Sequence, residues 1–151
     1  MSLFRPAPDA ARLLLRASLA TMWLSHAWLK YGVFTMAGFQ GFLAQQHLPT
    51  WIAWPVLLAE VSGGLLIALG AGGRWASIAL LPILAGATAV HWPNGWVFTA
   101  PNGGWEYPVF LAAMSVVHAL LGDGRFALRA ARAEGDAAAG RNGTRLAGAR
   151  A

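Results

Sequence analysis

Apolar residues fall along the chain in four long runs, separated by three polar breaks. Each run is near the roughly 20 residues that a bilayer-spanning helix needs. The first runs from about Ala10 to Phe34, the second from Trp51 to Leu69, the third from Trp75 to His91 and the fourth from Glu106 to Leu121. The pattern predicts an all-α, polytopic membrane protein: a bundle of four transmembrane helices. Between the first two runs, Phe39, Phe42 and Leu43 recur at helical spacing and predict a short helix lying in the membrane interface. Pro82 predicts a kink in the third span, because its ring clashes with the preceding turn. Gly63, Gly64 and Gly86 mark places where another helix backbone can approach closely.

The break from His91 to Glu106 is the densest in special residues. It holds two Asn-Gly pairs, two prolines and the tryptophans Trp92, Trp96 and Trp105. Asn-Gly and proline form turns, since glycine accepts positive φ and proline fixes φ. Tryptophans beside apolar runs sit at headgroup level. The stretch reads as a compact polar loop at one membrane face, with an ionisable residue at each hinge.

Composition sharpens the membrane reading. Of 151 residues, 57% are hydrophobic and 11% charged, and the mean hydropathy is +0.50. A soluble domain carries about 25% charged residues. The net charge of +5 is explained by topology rather than by nucleic acid, so no nucleic-acid partner is expected. Arg5, Arg12 and Arg16 precede or open the first span, Arg74 lies between the second and third, and Arg125, Arg129, Arg132, Arg141, Arg145 and Arg150 follow the fourth. The positive-inside rule then puts both termini in the cytoplasm and the 91–106 loop on the outer face. No cleavable signal peptide is expected. Without cysteine, no disulfide or thiolate site can form within the chain. The organisation expected is a short N-terminal lead-in (1–9), the four-helix domain (10–128), and a disordered basic tail (129–151).

The ionisable residues of the outer half come from all four spans: His26 and Lys30, Glu60, His91, and Glu106. His26 and Lys30 are four apart and share a helix face. At 1.5 Å per residue, His26 and Glu60 lie roughly 12 and 13 Å below the outer ends of their helices. A charge in hydrocarbon costs several kcal/mol, so one shared polar pocket is the economical arrangement. Plainer readings exist for each. Lys30 as a snorkelling anchor, Glu60 as a structural ion pair with Lys30 or a hydrogen bond to His26, His91 as a partner of loop carbonyls, and Glu106 as a helix-terminal charge all remain open. The spacing matches no compact metal motif, and no metal is expected. His26 and His91 as haem ligands is a loose match. A quinone headgroup, needing hydrogen bonds and a proton-exchanging group in an apolar pocket, suits the set better.

At His26 through Lys30, Ala59-Glu60 followed by Gly63-Gly64, His91-x-Pro93-Asn94-Gly95 and Asn102-Gly103-Gly104-x-Glu106, the sequence resembles the DoxX family and its DoxD relatives in thiosulfate:quinone oxidoreductase. The resemblance covers about residues 10 to 128, and Ala27 departs from it where the family often has glycine. It implies a multi-pass protein of the bacterial cytoplasmic (inner) membrane, linked to quinone/quinol or to a redox-enzyme partner subunit. The expected roles put Glu60, His26 and Lys30 at the chemistry, and His91, Asn94, Asn102 and Glu106 around the ligand. The alternative is a non-catalytic membrane scaffold or assembly partner. A solute or proton pathway is disfavoured by the lack of paired broken helices. Homo-oligomerisation is left open.

Overall fold

The computed structural model describes residues 7–128, and the tail expected at 129–151 lies outside them. All regular structure among the described residues is helical. The first helix, α1 (Pro8–Trp28), continues into a π-helical turn over Leu29–Val33. Thr35, at φ 63°, turns the chain into α2 (Thr35–Gln45). A 3-10 turn then leads into α3 (Ala53–Leu69). A tight turn through Gly70 and Gly72 leads to α4 (Gly73–Ala79), α5 (Leu81–His91) and, after the loop, α6 (Glu106–Leu121).

α4 and α5 are one helical stretch broken at Leu80. Pro82 stands in the first turn of α5, and the proline has no N–H to give and crowds the turn before it. The break matches the kink read from sequence. Two stretches are long and apolar enough to cross a membrane: Thr50–Leu69 with 20 residues and Gly73–Asn94 with 22. α6 is apolar with 16 residues, and α1 carries Asp9, Arg12 and Arg16 in its first half.

The core lies between α1, α3, α4 and α6, where Leu19, Trp23, Ile67, Leu80 and Leu111 are buried together. In a bilayer, lipid tails are as apolar as leucine, so close packing rather than hydrophobicity holds the helices. Two glycines make that packing possible. A Cβ on Gly64 would press on Leu24 and Trp23, and one on Gly63 would meet Leu80 Cδ1 at 2.6 Å. Gly86 differs from the sequence expectation: nothing lies within 4 Å of a Cβ built there. It borders open space, not a neighbouring backbone. A smaller cluster of Phe39, Leu43 and Ala53 seats α2 on the head of α3.

Leu58, Leu65 and Leu69 of α3, Phe110 and Leu120 of α6, and Trp51 and Trp75 are exposed. Such a surface suits lipid, not water.

One end of the bundle is closed by a buried polar latch. Arg16 is only 4% exposed, and donates to the carbonyls of Asp123 (2.6 Å) and Phe126 (2.9 Å). The Asp123 carboxylate accepts from the Arg74 backbone N–H (3.1 Å) and lies 3.3 Å from His118 Nε2. Ser77 Oγ lies 2.8 Å from His118 Nδ1. The latch ties the start of α1, the α3–α4 turn and the end of α6 together.

Candidate functional site

At the opposite end, α3 delivers Glu60 about two turns below its head, roughly 10 Å along the axis from Ala53 at 1.5 Å per residue. The π turn after α1 delivers Lys30 to the same point. Lys30 Nζ donates to both Glu60 oxygens, at 2.8 and 2.9 Å. Glu60 is 2% exposed, so this ion pair is buried and links α1 to α3. The ammonium also lies 5.4 Å from the Phe39 ring centroid, with α2 forming part of its surroundings. π-helical turns occur preferentially at functional sites, where the extra residue redirects a side chain. Nothing in the residue pattern announced this one.

Beside the pair lies a cavity of about 480 Å³. Its walls are mainly apolar, from α2, α3, α5 and α6. His26, Lys30, Glu60 and His91 are the sequence-predicted residues that line it. His26 stacks on Tyr107, ring centroids 5.6 Å apart. His91 donates from Nδ1 to the Gly103 carbonyl (3.2 Å).

Asn94, Asn102 and Glu106 do not line the cavity. They fold the loop above it. The Asn94 amide donates to the carbonyls of Gly103 (2.7 Å) and Asn102 (3.3 Å), and Asn102 takes a left-handed φ of 67°. Glu106 accepts from the Phe98 N–H (3.0 Å). The Trp105 N–H donates to the Gly95 carbonyl, and the Glu106 N–H to the Trp96 carbonyl. Trp105 stacks on Trp92 and meets Trp96 edge-on. Gly104 lies against the carbonyls of Trp96 and Val97, where any Cβ would collide. The loop is thus self-braced.

Two residues that sequence reasoning missed belong to the cavity wall: Trp23 and Tyr107. Trp23 Nε1 and the Tyr107 hydroxyl are buried with no hydrogen-bond partner. A partnerless buried donor costs about 1–3 kcal/mol, which a ligand acceptor can recover. The signal for Tyr107 was its place in the first turn of the fourth run, level with His26. Among the described residues, no group of three or more potential ligands could hold a metal.

An all-helical chain with an apolar exterior and a buried ion pair beside an apolar cavity has the character of an integral membrane protein. The family model described as DoxX matches residues 11–92, more than half of the chain. The protein therefore belongs to the DoxX family of membrane proteins. No curated protein and no solved structure matches it. The matched span contains His26, Lys30, Glu60 and His91. It ends before Asn94, Asn102 and Glu106, although the sequence resemblance was drawn through residue 128.

Proposed function

We propose that the protein is a four-span subunit of the bacterial inner membrane, with both termini in the cytoplasm, that binds quinone or quinol in association with a redox enzyme. The observation that carries this reading is the buried Lys30–Glu60 pair opening onto a 480 Å³ apolar cavity. That volume lies in the range of small-molecule sites, roughly 300–1,000 Å³. The orientation is supported by charge segregation: Arg12, Arg16 and Arg74 lie at the latch end with Asp123 and Gly124, away from the cavity. The 91–106 loop then faces outward.

A bound quinone supplies two-electron, two-proton redox chemistry, its electrons exchanged with the partner enzyme. The chain's residues handle the rest. Lys30 holds negative charge as it develops on a ring oxygen. Glu60 and His26 form hydrogen bonds and exchange protons. His91 offers Nε2 at the mouth. Asn94, Asn102 and Glu106 act by shaping the loop. Haem ligation is the weaker reading, because two histidines on separate helices are a loose requirement.

One observation favours the scaffold reading. Lys30 and Glu60 satisfy each other, as a purely structural link between α1 and α3 would. The decisive experiment measures quinone by mass spectrometry in an organic extract of protein purified in mild detergent, beside Glu60→Gln. Stoichiometric quinone that disappears in a folded Glu60→Gln variant supports the quinone site. Quinone retained unchanged by that variant sinks the role given to Glu60. No enrichment over bulk lipid transfers the weight to the scaffold, whose own mark is reduced folded yield of Glu60→Gln and a reproducible partner in pull-downs.

A further inference from the structure

The break at Leu80 does more than bend a helix. α4 packs against both α3 and α6, whereas the main helix neighbour of α5 is α6. On the α3 side, Leu80 lies close against Gly63. Beyond it α3 and α5 diverge, and the cavity occupies the fork. Pro82, Gly86, Ala87 and Val90 of α5 form one wall, and Val56 of α3 and Ile52 of the 3-10 turn before it contribute to the other. Gly86 and Pro82 are at once exposed on the protein surface and part of the cavity wall, so the cavity opens sideways between the two helices. Gly86 lies about 12 Å along the helix from Asn94 at 1.5 Å per residue. With Gly73–Asn94 spanning the membrane, the opening faces hydrocarbon, not water.

An opening of this kind is of no use to a water-soluble ligand. It suits one dissolved in the bilayer, with a polar ring and an apolar tail. The polar lining of the cavity has the buried Lys30–Glu60 pair with His26 and His91, and the residues Trp23 and Tyr107 also line it.

We propose that the α3–α5 fork is a lateral portal, that the ligand is a tailed quinone whose ring lies toward Lys30 and whose isoprenoid tail runs out past Gly86 into the bilayer, and that Gly86 is the residue that admits the tail. This inference rests on the quinone reading above and goes beyond it by assigning tail specificity to one position. Gly86 touches no polar group, and a Cβ there meets nothing, so its replacement leaves the polar end intact.

The test compares wild type, Gly86→Ala and Gly86→Phe, purified in detergent, for binding of decylubiquinone and of tailless ubiquinone-0, with thermal melting as the folding check. A bulky ring in the fork is expected to weaken decylubiquinone by about tenfold or more, the scale of steric rejection in an apolar pocket. Ubiquinone-0 should change by less than about twofold, and Gly86→Ala should behave as wild type. A Gly86→Phe variant that binds both quinones as wild type does overturns the portal. So does a folded variant that loses both equally, since Gly86 would then border the ring and not the tail. A Gly86→Phe variant that does not fold passes the test to Gly86→Leu, judged by the same criteria. If wild type binds neither quinone, the quinone reading itself fails, and the portal falls with it.

Discussion

The two ends of the bundle each bury charge, but they do it differently. At the latch, Arg16 donates to two backbone carbonyls, Asp123 takes the Arg74 N–H, and His118 sits between Ser77 and Asp123. The groups there face each other within the fold. At the other end, Lys30 and Glu60 face each other beside a 480 Å³ space, with Trp23 and Tyr107 contributing donors that have no partner. A buried charge whose neighbours all belong to the fold explains itself as structure. A buried charge beside an apolar cavity and partnerless donors does not, and invites a ligand. The difference is one of surroundings, since both clusters combine a buried basic side chain with an acidic residue.

The largest effect should come from breaking the latch. Arg16→Ala leaves the Asp123 and Phe126 carbonyls without their charged donor and removes the tie between α1 and the end of α6. The expected loss is about 3–5 kcal/mol, the range for breaking a buried charged interaction from one side. Thermal melting in detergent measures it. Supplementing the detergent with quinone should not restore the wild-type melting point, because the damage lies at the opposite end. Unchanged melting would show that Arg16 contributes little to holding α1 in place.

The ion pair at the cavity can be tested by a double-mutant cycle. Lys30→Met alone leaves a buried carboxylate and Glu60→Leu alone a buried ammonium, and each should cost about 3 kcal/mol. The double variant removes both charges and should return to within about 1 kcal/mol of wild type, as apolar replacement of a whole buried pair often does. It should nevertheless bind no quinone. Stability recovered with binding lost separates the site from the scaffold. Stability and quinone both retained would reduce the pair to glue.

Much of this was readable from the sequence, for definite reasons. Glu60 and the His26–Lys30 pair could be matched in depth because helical rise is constant and antiparallel neighbours share a reference plane. Pro82 and the Asn-Gly turns announce themselves through local sterics. The π turn that sets Lys30 has no comparable signature, and neither does the latch. Arg16 reads from the sequence as one of the arginines opening the first span, but its partners lie 107 and 110 positions away and are backbone carbonyls, which every residue carries. Gly86 was misread for a related reason. A glycine in an apolar helix signals close approach or open space equally, and only the divergence of α3 and α5 decides between them. Asn94 and Glu106 are expected around the ligand, and in the structure both side chains also bond the loop to itself, with Glu106 lining a second cavity beside Tyr107.

Asn94→Ala tests that last assignment. Removing the amide leaves the Gly103 carbonyl with His91 alone and takes a donor from the Asn102 carbonyl, at a cost of about 1 kcal/mol for a neutral hydrogen-bond donor. Hydrogen exchange across residues 95–105 should quicken by about fivefold, the rate equivalent of that energy. Quinone affinity should move by less than about twofold if Asn94 only shapes the loop. A tenfold fall in affinity with unchanged exchange would instead put the amide on the ligand.

The smallest effect concerns two hydroxyls on α6. Tyr107 and Ser115 each bury an oxygen with no partner, but Tyr107 lines the cavity and Ser115 lies further along the helix, one turn short of His118. In the unliganded protein both Tyr107→Phe and Ser115→Ala should be neutral or stabilising by a fraction of a kcal/mol, because each removes a desolvated group that bonds nothing. With quinone present they should part. Tyr107→Phe should lower affinity by about fivefold, the scale of one neutral hydrogen bond, and Ser115→Ala should leave it unchanged. Two variants with the same effect on melting and different effects on binding would show that the partnerless donor at the cavity is held for a ligand. Equal binding in both would mean that the Tyr107 ring serves only to stack against His26.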